Sequence, residues 1–175
     1  KQMALENTDI QNQLTEKFGE SVSNFQQESD LFSFEMTADS NTAVLLFLKN
    51  SEELRFHFLT SMFTIHYPDA ATDRQFAIVY LLHNWYENKR IKIKAFLDGK
   101  TPEIKTVSNI FPCANWMERE SYDFYGVDFK GHPQLKRILN MDEMISFPMR
   151  KEFPMEDSGR TDKDDRFFGR TTINL

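Results

Sequence analysis

One cysteine, Cys113, is all that this 175-residue chain holds. An internal disulfide is excluded, and so is any iron–sulfur or zinc site built from several thiolates. A reducing compartment is expected. No apolar run approaches the roughly 18–20 residues that span a bilayer, and no charged stretch followed by an apolar one opens the chain as a secretory signal. GxGxxG, GxxxxGK[ST], GxSxG and HExxH are all missing. The familiar phosphate and dinucleotide cradles, the nucleophile elbow and the helical zinc pair go with them. Glycine and proline are scarce, six of each, yet four Gly and three Pro fall within residues 126–175.

What is present is a large apolar content. Hydrophobic residues make up 40% of the chain, and 17 are Phe, enough to fill a core. The net charge of −6 argues against nucleic acid as a partner. It is unevenly spread: residues 1–125 hold 12 Lys/Arg and 18 Asp/Glu, whereas residues 126–175 hold nine of each.

Residues 1–126 read as a core domain. Ile10, Leu14 and Phe18 recur at helical spacing, with Thr8 as the expected cap and Gly19 as the stop. Val22–Gln27 and Leu31–Met36 read as a hairpin. A helix is expected over Ala43–Leu54, then strands over Phe56–Tyr67, over Phe76–Trp85 and around Ile91, Ile93 and Ala95, the last two joined by a turn at "YENKR". A final helix ends at Tyr125 before Gly126. The order α-β-β-α-β-β-β-α predicts an α+β fold with a mixed, largely antiparallel sheet. Beyond Gly126 the periodicity stops, although five Phe remain. Residues 127–175 therefore read as an extended tail that docks on a partner.

Three chemistries compete for "ERESYDFYGVDFKGHPQLKRIL", residues 118–139. Glu120 and Asp123, at i and i+3, share a helix face and could serve a stand-alone acid–base hydrolase. Against that, Glu118 and Glu120 flank Arg119 and are better read as its ion-pair partners. His57, His66, His83 and His132 form no metal-ligand spacing. His57 and His83 suit core or edge positions, and His132, between Gly131 and Pro133, suits a turn. Cys113 has no basic neighbour to activate it. What remains is a docking surface: Arg and Lys interleaved with Phe and Pro, as in "FPMRKEFPMED". Trp116 and Tyr122 are expected to anchor the helix in the core, with Arg119 paired to a carboxylate.

Glu118, Arg119, Glu120, Asp123, Gly126, Gly131, His132, Pro133, Lys136 and Arg137, followed by Pro148, Arg150, Lys151, Phe153 and Pro154, resemble a known signature. "ANW" at Ala114–Trp116 fits it as well. The pattern is similar to that of the C subunit of the proton-pumping NADH:quinone oxidoreductase, respiratory complex I. Ser61 and His66 depart from it, standing in a strand where acidic residues are expected. The resemblance implies a structural subunit with no catalytic, cofactor or metal site of its own. It places the chain in the hydrophilic arm, peripheral on the cytoplasmic side of the bacterial inner membrane, with membrane contact only through the complex. There it would clamp the large hydrogenase-like subunit of the quinone module beside iron–sulfur subunits. Flavin, clusters and quinone would belong to those partners. The alternative within the resemblance is the homologous subunit of a membrane-bound hydrogenase or formate hydrogenlyase.

Overall fold

The computed structural model describes residues 5–28 and 31–153. It is α+β, with the expected order of the long elements: helix α1 (Asn7–Phe18), strands β1 (Val22–Glu28) and β2 (Leu31–Met36), helix α2 (Asn41–Asn50), strands β3 (Phe58–His66), β4 (Phe76–Asn84) and β5 (Lys89–Leu97), and helix α3 (Ala114–Tyr125). Two short strands, β6 (Glu103–Lys105) and β7 (Asp128–Lys130), bracket α3. The main sheet runs β1-β2-β5-β4-β3. Its pairs are antiparallel except β2–β5, which is parallel.

Alternation assigns the two faces of this sheet. Phe76, Ile78, Tyr80 and Leu82 of β4 pair with Leu97, Ala95, Ile93 and Ile91 of β5. All are buried, and they form one cluster with Ile10 and Leu14 of α1, Val44, Leu45 and Leu48 of α2, and Ala114 of α3. All three helices therefore bury side chains with this face. Ala77 and Val79, on the opposite face, are buried without joining that cluster.

Several element boundaries differ from expectation, two of them for local reasons. Helix α1 starts two residues early, capped by Glu6 rather than Thr8: the Glu6 backbone N–H donates to the Asp9 carboxylate at 3.3 Å. Helix α2 stops at Asn50, short of Leu54. The hydroxyl of Ser51 accepts the Leu54 N–H at 3.3 Å, and Arg55 adopts a positive φ of 44°. That turn points Leu54 and Phe56 into the core.

The domain boundary expected at Gly126 falls too early. Strand β7 pairs in parallel with β6, and Val127 and Phe129 are buried with Ile104 in the core cluster. Three-residue strands carry too few alternations to register as a period.

Candidate functional site

The signature residues gather around α3 and the segment that folds back over it. Gly126 ends the helix in the left-handed conformation, φ +73°, and its N–H donates to the Tyr122 carbonyl at 2.8 Å. A Cβ there would lie 2.5 Å from the ring of Phe147, so this position needs glycine for space as well as for φ. Phe147 in turn packs edge-on to Tyr122, 6.2 Å between centroids. The chain leaves β7 through Gly131, φ +83°, and returns across the helix.

Asp123 holds that return path. It is fully buried. Its Oδ2 accepts the backbone N–H groups of Ile138, Leu139 and Asn140 at 3.1, 2.8 and 2.9 Å. Its Oδ1 accepts from Arg137 at 2.7 Å and from the Asn140 amide at 3.0 Å. Burial alone would raise its pKa. The backbone donors of Asn140 and Leu139, with the Arg137 guanidinium and the Asn140 amide, reverse that and hold it well below the ordinary carboxylate range. Arg137 also donates to the carbonyls of Asp123, Met144 and Ser146. Such a carboxylate is occupied on both oxygens and is no proton acceptor. Glu120, its expected partner in acid–base work, is exposed. The hydrolase reading fails on this geometry.

Glu118 is not a surface ion-pair partner. It is buried, and it accepts the Val107 N–H at 2.7 Å and the Thr106 hydroxyl at 2.5 Å, tying α3 to the end of β6. Burial pushes its carboxyl up to about 7, against the opposing pull of those two hydrogen bonds. The imidazole of His132 lies 3.8 Å away, fully enclosed. Its Nδ1 accepts the Gln134 N–H at 3.0 Å, which leaves the proton on Nε2, facing the Asn115 carbonyl at 3.1 Å. The histidine thus secures its own turn to the first turn of α3, as its place beside Gly131 and Pro133 suggested.

Arg119 and Trp116 need correction. Among the described residues Arg119 meets no carboxylate; its Nε and a terminal nitrogen donate to the carbonyls of Lys136 and Arg137 at 3.1 and 2.9 Å. Trp116 is exposed rather than a core anchor, and the Arg119 guanidinium lies 5.0 Å from its ring. At i and i+3 these two share a helix face that looks outward.

The second half of the signature closes the site. The Met149 N–H donates to the Phe124 carbonyl at 3.2 Å, beside half-buried Pro148. Arg150 donates to the Tyr125 carbonyl at 2.7 Å, its guanidinium between the rings of Phe76 and Phe147. The Lys151 N–H donates to Nδ1 of His66 at 3.0 Å. His66 stacks on Phe76 at 4.4 Å, and burial lowers its pKa, with Glu152 opposing and Arg150 and Lys151 reinforcing. The histidine that departs from the signature is thus the acceptor that takes the folded-back segment. Lys136, Lys151 and Phe153 are exposed. Pro154, Arg160, Lys163, Phe167 and Phe168, which the docking-tail expectation includes, lie outside the described residues.

Thr106, Val107, Asn140 and Phe147 carry this site, yet nothing in their spacing signals it. Around Tyr122, Leu135, Arg137, Met144 and Phe147 the fold leaves an open hollow of about 500 Å³. Among the described residues no three His, Cys, Asp or Glu side chains converge on a common point.

Comparison with known proteins agrees with these elements. The family described as "Respiratory-chain NADH dehydrogenase, 30 Kd subunit" matches residues 34–159. The C subunit of an NADH-quinone oxidoreductase from Caulobacter vibrioides is 41% identical over 111 residues, 63% of this chain and 55% of its own length. A C subunit of the same enzyme from Rhizobium meliloti is 35% identical over 139 residues, 79% of this chain and 74% of that protein. The chain thus spans about half to three-quarters of these two relatives. Two solved structures share the fold at 24% identity. One is Nqo5 in its trypsin-resistant fragment (TM-score 0.59, covering 72% of this chain and 98% of that one). The other is a chain of an archaeal membrane-bound sulfane sulfur reductase (TM-score 0.70, 85% of each).

Proposed function

Since the chain belongs to the 30 kDa subunit family of respiratory-chain NADH dehydrogenases, we propose that it is a non-catalytic structural subunit of a proton-translocating NADH:quinone oxidoreductase. In this reading it lies in the hydrophilic arm, peripheral to the membrane on its cytoplasmic side, and clamps the large hydrogenase-like subunit of the quinone module. Flavin, iron–sulfur clusters and quinone belong to the partners. Among the described residues, no helix is long and apolar enough to cross a membrane.

One observation carries the reading. The folded-back segment pins Arg137 and Asn140 inward on Asp123 and His132 beside Glu118, and leaves a set of apolar side chains outward. Leu139, Met141, Ile145 and Met149 are exposed, Ile145 to 95%. A segment held this firmly from beneath, with greasy side chains on top, is a surface built for another protein. Exposed Trp116, with Arg119 beside it, extends the same kind of surface onto α3.

The test is purification of the tagged chain under mild detergent from cells that make it. Iron–sulfur proteins and a large hydrogenase-like subunit should co-purify, and Ile145→Asp with Met141→Asp should release them while the chain stays folded. Recovery of the chain alone overturns the proposal. The alternative reading is the homologous subunit of a membrane-bound hydrogenase or formate hydrogenlyase. A nickel-binding large subunit in the co-purified material would select it.

A further inference from the structure

The face of the main sheet opposite the helices presents an apolar stripe beside a cationic row. On β3 and β4 it shows Phe58, Phe63, Ile65 and Leu81, with Phe58 42% and Phe63 41% exposed. Trp85, 65% exposed, closes one end: it packs edge-on to Phe58 at 5.3 Å and stacks on His83 at 5.9 Å. Next to this stripe, β5 carries Arg90 and Lys94 on the same side, opposite His83 and Val79, with Lys92, which has a contact of its own, between them. Four residues of a strand span roughly 13 Å, so Arg90 and Lys94 stand about that far apart along it.

Buried Val79 lies between Phe63 and Lys94 on this face, without any helical cover from the core cluster. Among the described side chains of the sheet, the carboxylate that faces this way is Glu35, across from Lys94. Arg74 already holds both of its oxygens, at 3.1 and 2.9 Å. A second copy docked face to face would bring the same cations and, among the described side chains of this face, no free carboxylate to match them. A row of cations next to aromatic anchors calls instead for an occupant with carboxylates along one side and apolar groups along the other.

We infer that this open face of β3, β4 and β5 is a second docking surface, which takes an acidic segment with apolar anchors from a neighbouring subunit of the complex. The inference rests on the assembly proposed above and adds a surface distinct from the folded-back segment. Carboxylates meet Arg90 and Lys94, while apolar side chains cover Phe63 and Leu81 and meet the Trp85 edge. The chain is then gripped on two sides, by its aromatic sheet face and by the outer side of α3 with its overlay.

Hydroxyl-radical footprinting of the full chain, free and within the purified complex, tests this. Phe58, Phe63 and Trp85 should be labelled in the free monomer and protected in the complex. Arg90→Glu with Lys94→Glu should lower the fraction of chain retained in the complex roughly tenfold, as loss of one good charge pair does, and circular dichroism of the variant should remain native. Phe63→Ser, which leaves the charges in place, should weaken retention in the same direction. Equal labelling of Phe63 and Trp85 in an intact complex overturns this inference and leaves the proposed function standing. Protection already present in the isolated monomer assigns the face to the chain's own residues 154–175, and protection that tracks a dimer mass assigns it to a second copy; either result overturns it. Failure to find any complex overturns both.

Discussion

The imidazole of His66 accepts, at Nδ1, the backbone N–H of Lys151, 85 positions further along the chain, at 3.0 Å. One ring thereby joins the end of β3 to the folded-back segment. Replacing His66 by Phe keeps the stack on Phe76 and removes the acceptor. A single hydrogen bond contributes about 0.5–1.5 kcal/mol net, so trypsin cleavage after Arg150 and Lys151 should quicken by roughly two- to tenfold in the isolated chain. Acid should do the same, because a protonated ring cannot accept. With the folded pKa lowered, the contribution is present above the ordinary histidine value of 6.5 and is lost as pH falls through the lower folded value. Cleavage that ignores both the substitution and the pH would show that this contact does not hold the segment.

Gly126 and Phe147 should behave as one unit. Gly126→Ala forces a side chain into the left-handed region, at roughly 1–2 kcal/mol, and into the Phe147 ring, at about 1–3 kcal/mol more. Adding Phe147→Leu should relieve the second cost. Urea unfolding of the two single variants and the double should give a sum larger than the double itself. Strict additivity would mean that the ring yields freely.

Asp123→Asn should be severe. It leaves Arg137 buried without its counter-charge and turns an amide N–H₂ toward groups that can only donate, a loss of roughly 3–5 kcal/mol for a broken buried pair. The wild-type contribution is present above the ordinary aspartate pKa and disappears as pH falls through the much lower folded value, so acid should loosen residues 137–146 first. Hydrogen exchange at Ile138, Leu139 and Asn140 reads this directly. Protection there that persists in the variant would sink the prediction.

Glu118 carries the opposite sign. Its carboxyl is raised from 4.5 to about 7, so its contribution is complete below about pH 4.5 and is lost as pH rises through 7. That swing is on the order of 3 kcal/mol. Glu118→Gln should flatten the decline in stability between pH 4.5 and 7 while keeping an acceptor for the Val107 N–H. An unchanged slope would place the titration elsewhere.

The fold was legible where periods are long. Nine-residue strands such as β4 and β5 announce themselves by alternation, and Gly19 and Gly126 mark real helix ends. Strands β6 and β7 were not legible, since three residues cannot establish a period. The site was half legible. The clustering of Glu118, Asp123, His132 and Arg137 in sequence does reflect real contacts, two pairs that tie the following segment to α3. Their partners are mostly backbone groups, the amides of Val107, Ile138 and Leu139 and the carbonyls of Asn115 and Met144, and every residue type supplies those equally. This is why Glu118 looked like a surface ion pair and Trp116 like a core anchor.

The parallel β2–β5 pair sets an order of events on the ribosome. Strand β2 ends at Met36 and its inner neighbour β5 begins at Lys89, so 52 residues must be made between them. At about 5–20 residues per second, the β1–β2 hairpin waits roughly 3–10 s with its inner edge and Phe32 and Phe34 uncovered. The β3–β4–β5 meander, with its short connections, is the natural nucleus, and the N-terminal hairpin joins it last. An interval of that length is long enough for a nascent-chain chaperone to find the hairpin, and slowing translation between residues 37 and 88 would lengthen the exposure.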